Sequence, residues 1–259
     1  MLMQREREEI VEYSRRMLKD ALTVGTSGNI SVRAGEHIAM TPSGVDYEAL
    51  SSEDICVLTL DGTQVDGLGN PSTEVPMHTF VYQFTDALAV VHTHPVYATV
   101  VGTLVREIPR IHYMLAFLGG PVRVAPYAPF GTQKLARNCI VAMKDRYGVL
   151  LQNHGATTYG ESLAEAYSRS LYLEWLCRIY CEARAIGDPR LLTGAELDEV
   201  AGAVSTYGQP APKSGAHLRE PARLLAELLL LSWSPESHSS AVRGRGRDLT
   251  ALRSDSVAI

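Results

Sequence analysis

Apolar and polar positions along this chain repeat with two periods, and the segments they mark alternate irregularly. Between Gln4 and Leu22, the residues Ile10, Val11, Tyr13, Met17, Leu18 and Leu22 recur among charges at helical spacing, which predicts an opening helix. Gly25-Thr-Ser-Gly-Asn-Ile-Ser-Val-Arg then reads as a glycine-rich turn feeding a strand. His37-Ile-Ala-Met-Thr-Pro-Ser-Gly reads as a second strand running into a turn. The run 54–60 is strand-like and stops at Asp61-Gly62, and a loop over 67–71 precedes a helix whose first turn begins Ser72-Thr73-Glu74. Ala87-Leu-Ala-Val-Val-His-Thr-His predicts a buried strand stopped at Pro95, followed by a helix over Val96 to Leu104 and a short strand at Val122-Arg-Val-Ala-Pro. A helix over Lys134 to Lys144, a strand Gly148-Val-Leu-Leu-Gln-Asn-His ended by Gly155, and a long amphipathic helix from Ser162 to Ala185 follow. Short strands joined partly by tight turns and partly by helices favour an α/β sandwich with a mixed or mainly antiparallel sheet over a doubly wound parallel one.

Composition narrows this picture. With 259 residues and 46% hydrophobic content, the chain can bury a substantial single core. A net charge of −5 provides no concentrated positive face, which argues against a nucleic-acid partner. The charged opening MLMQREREEI does not resemble a secretory signal, and the apolar run from Leu224 to Trp233 is too short to span a bilayer; a cytoplasmic protein with no membrane partner is expected. Cys56, Cys139, Cys177 and Cys181 form no CxxC pair and read as reduced core residues. After Gly208 the chain becomes rich in Pro, then Ser, Arg and Gly, so a domain over 1–208 and a flexible extension over 209–259 with one short helix are expected.

The candidate chemistry sits on the strands. His92 and His94 are at i and i+2 of an apolar strand, so both imidazoles leave one face, and His154 ends another strand. Three neutral imidazoles with an open fourth position suit a catalytic zinc ion; core histidines that merely satisfy hydrogen bonds can show the same spacing. His37, His78, His217 and His238 read as surface or ordinary packing residues. His112, beside Tyr113, is equally readable as a supporting or a structural residue. Glu74, early in its helix, is either a dipole-favoured carboxylate or a proton carrier beside the metal. The turns Thr26-Ser-Gly-Asn29 and Thr41-Pro-Ser-Gly44 and the helix start Ser72-Thr73 would expose N–H groups and hydroxyls to an anion if they converged.

GTSGNISVR, MTPSG, PSTE, VVHTHP, IPRIHYM, APYAPFGT and LLQNHG occur in the order and approximate spacing of the class II aldolase/adducin-like family, a resemblance that runs from Arg5 to Gly208. It implies a three-layer α/β/α sandwich and a zinc ion, with Mn²⁺ or Co²⁺ as alternatives, held by His92, His94, His154 and Glu74. Glu74 would also act as base or acid. It further implies a phosphate held by Gly28, Asn29, Ser43, Gly44, Ser72 and Thr73, an aldehyde-side pocket shaped by Phe130 and served by Tyr113 and Tyr207, and a homotetramer with active sites at subunit interfaces. The implied reaction is reversible cleavage of a ketose 1-phosphate, such as L-fuculose 1-phosphate or a related deoxyketose, to dihydroxyacetone phosphate and an aldehyde. The same scaffold also carries ribulose-phosphate 4-epimerases, which generally have Asp where this chain has Glu74, together with methylthioribulose-phosphate dehydratases and sugar-acid decarboxylases. A non-catalytic adducin-like module is the rival of another kind, and it predicts loss of the three histidines that this chain retains.

Overall fold

The strands predicted around the histidines join one sheet in the computed structural model of the protein, which describes residues 1–204. Tyr207, His217, His238 and the expected extension 209–259 lie outside the described residues. Among the described residues the strands are β1 (Asn29–Ala34), β2 (His37–Met40), β3 (Cys56–Thr59), β4 (Gln64–Asp66), β5 (Ala89–Thr93), β6 (Val124–Ala125), β7 (Gly148–Leu151) and β8 (Gly155–Gly160). Their order across the sheet is β4-β3-β2-β1-β5-β8-β7-β6, and every neighbouring pair is antiparallel except β6 with β7. This is the mixed, mainly antiparallel sheet that the short strands and tight turns predict.

Helices cover both faces. They are α1 (Gln4–Lys19), α2 (Val75–Phe84), α3 (Val96–Leu104), α4 (Gln133–Met143), α5 (Leu163–Ile186) and α6 (Gly194–Val204). Along a strand, neighbouring side chains go to opposite faces. Val149 and Leu151 of β7 pack with α2 and α4, whereas Leu150 between them packs with α3 and α5. In β2, Ile38 and Met40 face α2 and Ala39 faces α1. The result is a three-layer α/β/α sandwich, and the double burial explains why β5 and β7 read as unbroken apolar runs rather than alternating ones. The long helix α5 starts where Ser162 accepts a hydrogen bond from the Glu165 N–H, and α4 starts where Thr132 does the same for Leu135. At the other edge, the buried guanidinium of Arg7 on α1 donates to the carbonyls of Leu2, Ser52 and Ile55 and to Asp66, tying the helix to β3 and β4. No helix among the described residues is long and apolar enough to cross a membrane.

Several elements differ from expectation. The opening helix ends at Lys19, although Leu22 is still fully buried. The strand predicted through His154 stops at Leu151, and the chain turns back over 152–154 into the antiparallel β8. Asn153 makes that turn at φ 55°, a left-handed conformation that Asn tolerates better than most residues. β4, β8, α6 and the 3₁₀ helix Tyr113–Leu118 are additions; β8 is built from Gly155-Ala-Thr-Thr-Tyr-Gly160, whose small residues and bounding glycines resemble a loop. Glu74 is not in the first turn of α2 but is the residue that caps it, and its side chain makes no capping hydrogen bond.

Candidate metal centre

Three chain segments meet at one end of the sheet. β5 supplies His92 and, just past its end, His94; the β7–β8 turn supplies His154; the residue before α2 supplies Glu74. Antiparallel pairing of β5 with β8 sets Thr93 opposite Ala156, which brings His94 and His154 side by side. Gly155 permits this approach, because a Cβ there would overlap the Thr93 carbonyl oxygen. The three imidazoles stand nearly perpendicular to one another, with ring centroids 4.7, 4.8 and 4.9 Å apart. The candidate ligand atoms of Glu74, His92, His94 and His154 all lie within 4.8 Å of one another.

The hydrogen bonds around this cluster determine which lone pairs face inward. His92 Nδ1 lies 2.9 Å from the Ala156 carbonyl oxygen, which can only accept, so Nδ1 carries a proton and Nε2 is the nitrogen left for the centre. That nitrogen is 2.8 Å from His94 Nε2 and 2.8 Å from Glu74 Oε2. A lone pair and a carboxylate oxygen so close together need positive charge between them, supplied by a proton or a metal ion. Burial pushes His94 down to about 3 and His154 down to about 4, with His92 adding to both, so these imidazoles are neutral and competent as ligands. Burial by itself would raise the Glu74 carboxyl, but positive charge on the His92 side of the cluster and the Asn29 amide outweigh it and hold the group well below the usual carboxylate range. Glu74 Oε1 is buried with no hydrogen-bond partner among the described residues and lies 3.7 Å from His154 Nε2. An orphaned carboxylate oxygen beside three converging imidazoles fits a divalent cation.

Above the cluster opens a cleft of about 310 Å³. Gly28, Asn29, Ser43, Gly44, Ser72, Thr73, Glu74, Phe130, His94 and His154 all line it, while His92 lies fully buried beneath. Gly28 adopts φ +75° and a Cβ there would come within 2.8 Å of the His92 carbonyl oxygen, so the turn passes directly over the β5 backbone. The loop groups lining the cleft differ from the expected nest. The Ser43 N–H is taken by the Asn70 carbonyl and the Ser72 N–H by that of Thr41, so these residues offer their hydroxyls instead. The buried Asn29 amide reaches Glu74 Oε2 at 3.1 Å. Tyr113 does not line the cleft; it is half exposed and stacks on His112 at 4.5 Å. His112 itself accepts from the Met114 N–H and caps the 3₁₀ helix. Tyr127 and Asn153 also line the cleft; both lie inside family motifs, APYAPFGT and LLQNHG, but neither is among the site residues the sequence predicts. His78 is no surface or ordinary packing residue: fully buried, it bonds Asn29 and Ser31.

Sandwich, cluster and hydroxyl-lined cleft together have the form of an enzyme centre of the class II aldolase type, and the cluster fits a metal ion. The model of the class II aldolase and adducin N-terminal domain matches residues 8–181. A 5-deoxy-D-ribulose 1-phosphate aldolase of Bacillus thuringiensis serovar kurstaki is 40% identical over 212 residues, covering 81% of this chain and all of that protein. An L-fuculose phosphate aldolase of Escherichia coli K12 is 38% identical over 203 residues, 77% of this chain and 94% of that one. A solved L-fuculose 1-phosphate aldolase superposes with a TM-score of 0.77 at 37% identity, over 79% of this chain and 98% of its own. The chain belongs to the class II aldolase and adducin family, as a lyase on its aldolase side.

Proposed function

We propose that this protein reversibly cleaves a deoxyketose 1-phosphate to dihydroxyacetone phosphate and an aldehyde, with a zinc ion as its resident metal and Mn²⁺ or Co²⁺ as substitutes. The observation that carries this reading is the convergence of His92, His94, His154 and Glu74 on the floor of the cleft. Full coverage of the 5-deoxyribulose 1-phosphate aldolase favours that ketose, which would release acetaldehyde, with L-fuculose 1-phosphate as the second candidate. Three imidazole nitrogens and a carboxylate match the four-coordinate preference of zinc. A divalent cation bound there supplies Lewis acidity toward the ketose oxygens.

The protein's own groups do the rest. The hydroxyls of Ser43, Ser72 and Thr73, with the Gly28 and Gly44 turns, orient the phosphate at the mouth of the cleft and so set the distance of the reacting carbons from the cluster. As the C3–C4 bond breaks, the C4 hydroxyl gives up its proton, relayed to solvent by the tyrosine hydroxyl on the aldehyde side, and becomes the aldehyde. Glu74 delivers a proton to C3, completing dihydroxyacetone phosphate; in the synthetic direction it removes that proton. Phe130 shapes the aldehyde side. Tyr113 and Tyr207 serve the aldehyde oxygen, and Tyr113, off the cleft of its own chain, reaches the site of a neighbouring copy in a cytoplasmic homotetramer. Val96, Val100 and Leu104, an exposed apolar stripe along α3, support such assembly. The catalytic domain spans 1–208.

The test is a panel of ketose 1-phosphates with trapping of the released aldehyde, run beside metal analysis of the purified protein. Aldehyde release that requires the bound metal, and that fails in His92→Ala and Glu74→Gln, is the expected result. Return of a 4-epimer without aldehyde would instead make the protein an epimerase.

A further inference from the structure

Glu74 begins a second pattern that the cleft does not use. Glu74, capping α2, and His78 and Tyr82 on it recur every four residues, a step of about 6 Å along a helix; on β1, Asn29 and Ser31 point the same way, about 6.7 Å apart. The two polar stripes face each other and interdigitate. Tyr82 Oη lies 2.7 Å from Ser31 Oγ, Ser31 Oγ 2.6 Å from His78 Nδ1, His78 Nε2 2.6 Å from Asn29 Oδ1, and Asn29 Nδ2 3.1 Å from Glu74 Oε2. All of these residues are buried.

The chemistry of the partners assigns every proton. A carboxylate only accepts, so Asn29 turns its N–H₂ toward Glu74 and its oxygen toward His78. That oxygen requires a donor, so His78 carries its proton on Nε2; the ring is fully buried and its two nitrogens meet only an amide oxygen and a hydroxyl, so it is neutral and Nδ1 is bare. Ser31 therefore donates to Nδ1, and Tyr82 donates to Ser31. The two ends of an amide have the same shape, and only their partners decide which end faces which neighbour. Removing the His78 N–H would free the Asn29 oxygen to turn against the carboxylate.

We propose that Tyr82, Ser31, His78 and Asn29 form a buried positioning ladder, with His78 fixing the Asn29 amide so that Glu74 is held through Oε2 and keeps Oε1 for the metal. This rests on the reading of Glu74 as a ligand of the centre. The His78 side chain bonds Asn29 and Ser31 and does not line the cleft, while its backbone N–H donates to the Glu74 carbonyl; it is a positioning residue whose ring acts through Asn29.

Two measurements on the full-length protein test the ladder without recourse to turnover. Long-range proton–nitrogen NMR of ¹⁵N-histidine protein should show His78 neutral with its proton on Nε2, with and without zinc. Titration with Co²⁺ should show His78→Leu binding about 10–100-fold more weakly, the range for loss of outer-shell support, with an altered visible ligand-field spectrum. His78→Gln, whose terminal N–H₂ reaches the place of Nε2, should restore affinity and spectrum toward wild type. A proton on Nδ1, a folded His78→Leu protein with wild-type affinity and spectrum, or a Gln variant no better than Leu would each overturn the proposal. If His78→Leu does not fold, the tautomer and the Gln variant still decide. Failure of the wild-type protein to release aldehyde would sink the aldolase reading while leaving these readouts intact.

Discussion

Replacing Gly155 with Ala tests how tightly the sheet and the metal centre are coupled. The added methyl would overlap the Thr93 carbonyl oxygen outright and stand 3.1 Å from His94 Cδ2. A relaxed carbon–oxygen contact needs about 3.3–3.6 Å, so β5 and the β7–β8 turn must part by roughly 1 Å. Neither side yields cheaply, because the overlapped atom is backbone in a strand hydrogen-bonded on both edges by β1 and β8. Overpacking of this kind costs about 1–3 kcal/mol, which for a domain of this size lowers Tm by roughly 2–4 °C per kcal/mol. The same displacement separates His154 from His94 by several times the ~0.2 Å tolerance of a metal site. The expected outcome is a fall in Tm of roughly 2–12 °C together with loss of most bound divalent metal, read by calorimetry and by elemental analysis after dialysis. Gly187→Ala is the control, since its Cβ would meet nothing within 4 Å and its backbone is extended; it should leave both values unchanged. A Gly155→Ala protein with wild-type metal occupancy and wild-type Tm would refute the claim that this glycine sets the approach of the two histidines.

Two further outcomes follow from buried polar groups. Arg7→Met preserves the aliphatic stem but removes the donors to Leu2, Ser52, Ile55 and Asp66. It should cost about 2–4 kcal/mol in urea unfolding while metal content stays constant, and a loss below about 1 kcal/mol would mean the network acts like an exposed ion pair. In metal-stripped protein, His78 has an ordinary value of 6.5 but is pushed down to about 3 in the fold by burial. Between those limits the unfolded chain binds a proton that the folded one refuses. Its contribution is thus fully present above pH 6.5 and is lost at up to about 1.4 kcal/mol per pH unit as pH falls toward 3. His78→Gln should flatten that slope in urea titrations at several pH values; identical slopes would assign the acid sensitivity to other groups.

The local pattern of this chain was enough to place most helices and the strands bearing His92 and His94, because helical periodicity and apolar runs are properties of neighbouring residues. The boundaries of α3 came out as predicted, since Pro95 and the end of the apolar run are local signals. The family motifs likewise pointed to the fold and to the quartet Glu74, His92, His94 and His154 without coordinates. What only the tertiary structure decided depends on contacts between distant segments. β8 is a strand because β5 and β7 offer it edges, not because Gly155-Ala-Thr-Thr-Tyr-Gly160 prefers one. His154 therefore lies in a turn, and Gly155 is required by the Thr93 backbone sixty-two positions earlier. The N–H groups of Ser43 and Ser72 are occupied by loop carbonyls that sequence could not locate. His78 shows the limit best. Its spacing from Glu74 and Tyr82 was visible throughout, but a four-residue interval says only that side chains share a helical face. That this face meets Asn29 and Ser31, and that the protons can then run only one way, follows from the packing of α2 across β1.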